Sequence, residues 1–326
     1  MLPDTERVAG ERYVAPAELM GISPAMVRLR EMVARFAQTD APVLISGESG
    51  TGKKLISRAL HSQSDRRARP FVLVNCSAYP ESLLEAELFG HPQDGGTDAK
   101  REGRLHAAEG GTLLLDEVGE LPFQAQPKLL RVLEERTFEQ PGTNDSVSVD
   151  VRMLSSTHRS LKELLAQGRF REALYYRLKI LEIDVPPLRE RPGDVPLLIS
   201  YFMQRFAAPS APTRISDEAA GVLTEHPFPG NVRELEHAIR HAMVLAADQT
   251  ELRLEHLPPD VIERHRSKAS PVAMRPLHEA MAQYEREYLR AALELCQGHK
   301  SATAAMLGIS RKNLWEKLKR YGVEGQ

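Results

Sequence analysis

The run Gly47-Glu48-Ser49-Gly50-Thr51-Gly52-Lys53 has the GxxxxGK spacing of a phosphate-binding loop. Three glycines let backbone N–H groups turn toward phosphate oxygens. The N-terminus of a following helix adds a favourable dipole, and Lys53 can reach the β- and γ-phosphates of a nucleotide such as ATP. The generic pattern closes on Ser or Thr, whose hydroxyl helps to hold Mg2+; Lys54 stands there in this chain. A second reactive pair, Asp116-Glu117, ends the apolar run Leu113-Leu114-Leu115. A buried strand ending in two acids presents them where ligands bind in open α/β sheets. Asp116 suits Mg2+, directly or through water, and Glu117 suits polarising an attacking water.

Elements must hold these groups in place. Pro42-Val43-Leu44-Ile45-Ser46 reads as a strand leading into the loop. The next segment reads as a helix with Leu55, Ile56, Ala59 and Leu60 on one face. Phe71-Val72-Leu73-Val74, Thr112-Leu113-Leu114-Leu115 and Val151-Arg152-Met153-Leu154-Ser155 are further strands. Their alternation with helical patterns predicts a parallel α/β sheet over residues 16–190, behind a polar tail at 1–15. Pro186, Pro187 and Pro192 mark a change of character. Residues 191–262 read as a helical lid, broken at Pro227-Phe228-Pro229-Gly230. Residues 263–277 read as a polar linker and 278–326 as a small all-helical domain.

That last domain reads as helix, turn, helix. Lys300-Ser301-Ala302-Thr303-Ala304-Ala305-Met306-Leu307 forms the first short helix and Gly308-Ile309-Ser310 the turn. Glycine permits positive φ and Ser310 can cap the next helix. In a recognition helix from Arg311 to Tyr321, Leu314 and Leu318 lie inward. Arg311, Lys312 and Asn313 sit at the end where such motifs contact bases, with Lys300, Ser310 and Lys317 nearby. Trp315 is assigned to packing, following the general burial of tryptophan.

Bulk properties set limits on the function. The chain has 326 residues, 42% hydrophobic and 27% charged, enough for two or three soluble domains. The net charge is only −2, but residues 298–326 hold six basic and two acidic residues. That segment carries +4 on a body carrying −6, the asymmetry expected where one small part contacts phosphate. Cys76 and Cys296 have no metal-ligand spacing and read as reduced thiols of a cytoplasmic protein. The first residues lack the apolar stretch of a signal peptide, and no apolar run reaches membrane-spanning length.

Seven segments together resemble the bacterial enhancer-binding proteins, the AAA+ family that activates sigma-54 RNA polymerase. They are the phosphate loop; Val74-Asn75-Cys76; Glu87-Leu88-Phe89-Gly90-His91; Gly110-Gly111-Thr112 through Asp116-Glu117; Phe170-Arg171-Glu172 with Leu174-Tyr175-Tyr176-Arg177-Leu178; Pro187-Leu188-Arg189-Glu190-Arg191; and Pro229-Gly230-Asn231-Val232-Arg233-Glu234-Leu235. The resemblance implies an AAA+ ATPase using ATP and Mg2+. By it, Arg171 and Arg177 match arginine fingers that reach the ATP of a neighbouring subunit, so hydrolysis needs a hexamer-type ring. Arg233 matches the lid arginine that senses the γ-phosphate, and Asn75 the asparagine that switches the catalytic glutamate. Thr157 and His158 match the sensor position, and Met20-Gly21-Ile22 would border adenine. The C-terminal unit resembles the Fis-type helix-turn-helix. Its preceding helix, with Met281, Tyr284, Tyr288, Leu289, Ala292 and Cys296 at helical spacing, is expected to dimerise on a palindromic upstream DNA site.

Two departures stand out. Where the family carries the sigma-54-gripping GAFTGA loop, this chain reads Pro92-Gln93-Asp94-Gly95-Gly96-Thr97-Asp98-Ala99. Gly96 replaces a phenylalanine that would bury about 150–250 Å², and two carboxylates enter. Lys54 replaces the family's glutamate. The sequence thus predicts an ATP-dependent, DNA-binding transcription regulator of this family. The alternative is a AAA+ regulator independent of sigma-54: repressor, antagonist or activator of another polymerase form. A bare DNA-binding module with a degenerate ATPase fold is opposed by the retained Lys53, Asp116, Glu117, Arg171, Arg177 and Arg233. Too few residues precede the sheet here for a sensor domain: if Met1 is the natural start, the expected input is a protein in trans, a ligand or expression level, and if the chain is a fragment, the sensor has been removed.

Overall fold

The computed structural model describes residues 19–90, 103–139, 146–208, 211–269, 276–296 and 298–322. The altered loop at 92–99 and the tail at 1–15 lie outside them. Among the described residues there are nine strands: β1 Val43–Ser46, β2 Phe71–Asn75, β3 Thr112–Asp116, β4 Thr137–Glu139, β5 Ser146–Ser148, β6 Arg152–Thr157, β7 Leu181–Asp184, β8 Arg214–Ile215 and β9 Glu251–Leu252. Five form a parallel sheet in the order β2-β3-β6-β1-β7. β7, unforeseen in the sequence, is an edge strand of four residues beside β1. β4 and β5 make a small antiparallel pair.

Each central strand alternates between two covered faces. Leu113 and Leu115 join Leu44, Val74 and Met153 in one core, while Leu114 joins Val43, Ile45 and Leu154 in the other. A strand buried on both sides reads as an unbroken apolar run, which is why β3 was legible. The first face is covered by the helices Glu81–Phe89, Gln126–Glu135 and Glu172–Leu178, through Leu84, Leu88, Leu129 and Leu174. The second is covered by Pro24–Ala37 and Lys53–Ser62, through Met26, Leu29, Val33, Ile56 and Leu60. Leu55 departs from expectation: it is exposed, because the buried arc of its helix centres on Ile56, Ala59 and Leu60.

The lid packs the helices Asp194–Arg205, Asp217–Glu225, Asn231–Leu245 and Pro259–Ala269 around a core including Phe202, Leu223, Phe228, Leu235 and Ile239. The last of these helices runs through 263–269, a stretch whose polar composition suggested linker. The chain divides into two compact units, Met1–His265 and Arg266–Gln326. The second holds the helices Leu277–Leu295, Lys300–Met306 and Arg311–Tyr321 around Leu289, Leu293, Ala304, Leu314 and Leu318. Among the described residues no helix is long and apolar enough to cross a membrane. Cys76 and Cys296 are both free thiols, and burial pushes the Cys76 pKa up to about 12.

Candidate nucleotide site and DNA-binding unit

The parallel sheet places the C-terminal ends of its strands at one edge, where Ser46, Asn75, Asp116 and Thr157 end β1, β2, β3 and β6. The phosphate loop leaves β1 there and turns into the helix Lys53–Ser62 at Gly52, whose φ of 102° is left-handed. No side chain caps that helix. Its first-turn N–H groups are of the kind that satisfy an anion. Lys53 is buried, and its ammonium donates to the carbonyls of Gly47 (2.8 Å) and Glu48 (3.1 Å). Burial lowers its pKa; the nearby charges of Glu117 and Asp116 work in the opposite direction. Glu117 lies 3.9 Å away.

Asp116 is also buried. Its Oδ1 accepts from the Ser156 hydroxyl at 2.5 Å, and its Oδ2 faces the Lys54 ammonium at 3.0 Å. Glu117 adopts a left-handed backbone (φ 58°, ψ 51°), uncommon for a residue with a Cβ. This conformation turns its carboxylate out of the strand line and onto His158. It accepts there from the backbone N–H (3.1 Å) and from ring Nδ1 (2.6 Å). An ionised carboxylate only accepts, so Nδ1 carries the proton. Asn75 Oδ1 accepts from Ser77, from its N–H (3.0 Å) and its hydroxyl (2.8 Å). The glutamate's hydrogen-bond partner in this structure is thus His158.

The lid closes on the same loop. Arg233 donates to the Ser49 hydroxyl at 3.0 Å. Asn231, fully buried, donates to Glu48 Oε2 (3.1 Å) and to the Ser49 carbonyl (3.0 Å), and its Oδ1 accepts from Leu188 N–H (2.8 Å). Arg189 grips Glu48 through both terminal nitrogens, at 2.9 and 2.6 Å. These bonds, from Arg189 first and then Asn231, hold the Glu48 carboxyl down at about 2. Arg191 donates to the carbonyls of Thr51 (3.2 Å) and Pro186. Residue-type reasoning assigned no role to Arg189, Arg191 or Asn231. The signal was present, since all three lie in the family-like runs around Pro187 and Pro229. Met20-Gly21-Ile22 is pinned to the lid, with Ile22 and Ser23 N–H both donating to Asp194 (2.7 and 2.8 Å).

The two finger candidates stand apart from this cluster. Arg171 begins the helix Glu172–Leu178, with its guanidinium 4.4 Å from the Phe123 ring. Arg177 pairs with Glu134 at 3.3 Å. Both are exposed, and among the described residues neither bonds to the phosphate loop of its own chain.

The residues suit a nucleoside triphosphate: an uncapped helix start, a lysine and a lid arginine converge on one loop. For Mg2+ the protein offers one buried carboxylate, Asp116. No hydroxyl stands at position 54, and no described group of three or more His, Cys, Asp or Glu could cage a metal. One carboxylate with phosphate oxygens and water is an ordinary Mg2+ set, so the site fits once Lys54 gives up Oδ2.

In the C-terminal unit Ser310 caps the recognition helix by accepting from Asn313 N–H at 3.2 Å. Lys300, Arg311, Lys312 and Asn313 are exposed. Lys317 instead forms an ion pair with Glu285 on the preceding helix, which also accepts from Tyr321. Trp315 corrects the sequence reading: it is 57% exposed, with the Lys319 ammonium 5.2 Å from its ring. The buried stripe is Leu314 and Leu318, and the next residue along a helix lies about 100° round from it.

Comparison with known proteins agrees with this architecture. The sigma-54 interaction domain family matches residues 19–184, the AAA+ ATPase lid domain residues 189–273, and the Fis family of bacterial regulatory proteins residues 280–321. The regulatory protein AtoC of Escherichia coli is 43% identical over 310 residues, covering 93% of this chain and 67% of AtoC. The transcriptional regulatory protein ZraR of Klebsiella oxytoca is 44% identical, covering 97% of this chain and 72% of ZraR. Crystal structures of NtrX from Brucella abortus in complex with ATP and with ADP each have a TM-score of 0.72. They are 38% and 39% identical, cover 94% of this chain, and are themselves covered to 70% and 69%. The chain belongs to the sigma-54 interaction domain family of transcription regulators, with a AAA+ ATPase domain, its helical lid and a Fis-type DNA-binding domain.

Proposed function

We propose that this chain is an ATP-driven regulator of sigma-54 RNA polymerase, working as a ring and anchored to upstream DNA by its Fis-type domain. The observation that carries this is the meeting of Lys53, Asp116, Glu117 and the lid's Arg233 around one phosphate loop. Lys53 and the start of its helix bind the triphosphate, and Arg233 senses the γ-phosphate. Glu117 takes the proton of the attacking water while His158 orients its carboxylate, and Asn75 competes for that carboxylate as nucleotide state changes. Asp116 would hold Mg2+, directly or through water. When bound, that ion neutralises charge on the phosphates. Arg171 and Arg177, held on Phe123 and Glu134 of their own chain, swing to the neighbouring subunit's ATP.

In the C-terminal unit Arg311, Lys312 and Asn313 read bases, and Lys300 contacts phosphate. Lys317 braces the recognition helix through Glu285. Met281, Tyr284 and Tyr288 form an exposed apolar stripe on the helix Leu277–Leu295, which supports a dimer on a palindromic site. The family match over residues 19–184 favours sigma-54 polymerase over the sigma-54-independent alternative.

ATP turnover per protomer, measured against protein concentration, tests the engine. It should rise with assembly and collapse in Arg171→Ala and Arg177→Ala; flat turnover refutes the ring. Glu117→Gln should lower turnover by about 10²–10⁴-fold and keep ATP binding. Transcription from a sigma-54 promoter in vitro tests the coupling. ATP-dependent open-complex formation supports it; turnover without open complexes refutes it and returns the alternative.

A further inference from the structure

The position after Lys53 brings a further basic side chain to the site, Lys54. Lys54 lies on the first turn of the phosphate-loop helix, with its side chain half exposed. Its ammonium sits 3.0 Å from Asp116 Oδ2. The other oxygen is taken by the Ser156 hydroxyl. Two successive lysines therefore serve two successive acids. Lys53 faces the loop carbonyls and Glu117, and Lys54 faces Asp116.

We propose that Lys54 is a tethered cation at the metal position of Asp116, which makes nucleotide binding less dependent on a divalent ion. This rests on the ATP-binding reading above. A buried carboxylate next to an incoming triphosphate repels it unless a positive charge lies between them. Lys53 is committed to the loop carbonyls and Glu117, so where position 54 is a hydroxyl or an acid no side chain there pairs with Asp116. Here a covalently attached ammonium supplies that charge before any metal arrives. Because the Lys54 side chain is 51% exposed, it has room to leave Oδ2 when Mg2+ enters with the nucleotide. The two cations are alternatives at one oxygen.

The test is binding, not turnover. A fluorescent ATP analogue is titrated into the full chain with excess Mg2+ and again with EDTA. The ratio of the two dissociation constants is compared for wild type, Lys54→Met and Lys54→Arg. Removal of the cation should raise the EDTA-to-Mg2+ ratio about tenfold or more in Lys54→Met, a change of about 1.4 kcal/mol. Lys54→Arg should keep the wild-type ratio. Each ratio is internal to one protein, so a modest loss of stability in a variant does not alter the comparison. Equal ratios in wild type and Lys54→Met overturn the proposal. So does an increase in Lys54→Arg matching that in Lys54→Met. Wild-type chain that binds no analogue even with Mg2+ overturns the ATP-binding reading beneath it.

Discussion

Gly50 sits where the phosphate loop meets the lid, at φ +78°, and a Cβ built on it would lie 2.1 Å from the carbonyl oxygen of Gly230 and 3.1 Å from Arg233 Cβ. Replacing it by alanine imposes two separate costs. The left-handed backbone costs a non-glycine residue about 1–2 kcal/mol. The overlap with a backbone carbonyl cannot be relieved by a side-chain rotation, so loop and lid must part, at about 1–3 kcal/mol. Gly110 separates the two terms. It has a similar φ of +69°, but nothing lies within 4 Å of its added Cβ. Gly110→Ala should therefore cost about 1–2 kcal/mol, and Gly50→Ala about 2–5 kcal/mol by the sum of both terms. The assay is urea unfolding of the full chain, with unchanged m-values as the condition for comparing midpoints. It is paired with ATP-analogue binding. Gly50→Ala should also lose binding, since Ser49 is bonded by both Arg233 and Asn231 across the same contact. Gly110→Ala should keep it. If the two variants are equally destabilised and both bind nucleotide, the loop–lid contact has no energetic weight and this argument fails.

Three further outcomes follow from the same geometry. Arg152 is buried within β6 and caps the helix Pro24–Ala37 by donating to the carbonyls of Phe36 (2.7 Å) and Ala37 (3.2 Å), while its Nε lacks a partner. Arg152→Met should cost about 2 kcal/mol, the worth of charge-assisted bonds less the relieved burial of charge, and an unchanged Tm would refute the cap. The Glu48 carboxyl lies at about 2 against an ordinary 4.5, so its contribution is complete above about 4.5 and is lost as pH falls toward 2. The Tm difference between wild type and Glu48→Gln should be constant above about pH 5.5 and shrink progressively below about 4.5; a difference undiminished at about pH 3 would count against the Arg189 grip. Finally, Trp315→Ala should change stability by no more than about 0.5 kcal/mol, whereas Leu314→Ala should cost about 2–5 kcal/mol, and equal costs would show that the tryptophan is packed after all.

The parts legible in the sequence are those where one local rule decides the outcome. Gly47 to Lys53 is a spacing, and Leu113 to Asp116 is an apolar run ending in charge. The parts that escaped depend on what lies across the fold. β7 is four residues long and runs into Pro186 and Pro187, so its alternation Leu181-Glu182-Ile183-Asp184 is too short to stand out from the preceding helix. Arg152, a basic residue buried at the start of β6, finds its acceptors 115 and 116 positions away in sequence. Trp315 obeys the periodicity of its own helix against the average behaviour of tryptophan. The hold of His158 on Glu117 was out of view for the same reason, because it is the left-handed turn at Glu117 that aims the carboxylate at the end of β6.

The contacts of the phosphate loop also indicate how the engine is coupled. Glu48, Ser49 and Gly50, three consecutive residues, each touch the segment 189–233 rather than the sheet that carries them. Lys53 meanwhile spends its charge on loop carbonyls. Under the proposed function, a triphosphate in the loop would give Lys53 and Arg233 a common acceptor and remove the reason for both present arrangements. A ligand shifts a conformational equilibrium only by its different affinity for the two states. Here the difference has a location, since the bonds to Ser49 and Glu48 join loop to lid and must be kept or broken as the loop fills. Coupling of this kind is reciprocal. Loosening the lid through Arg189→Ala should therefore change nucleotide affinity, although Arg189 touches Glu48 alone among the loop residues. Unchanged affinity in that variant, with the fold intact, would show that the lid follows the loop without constraining it.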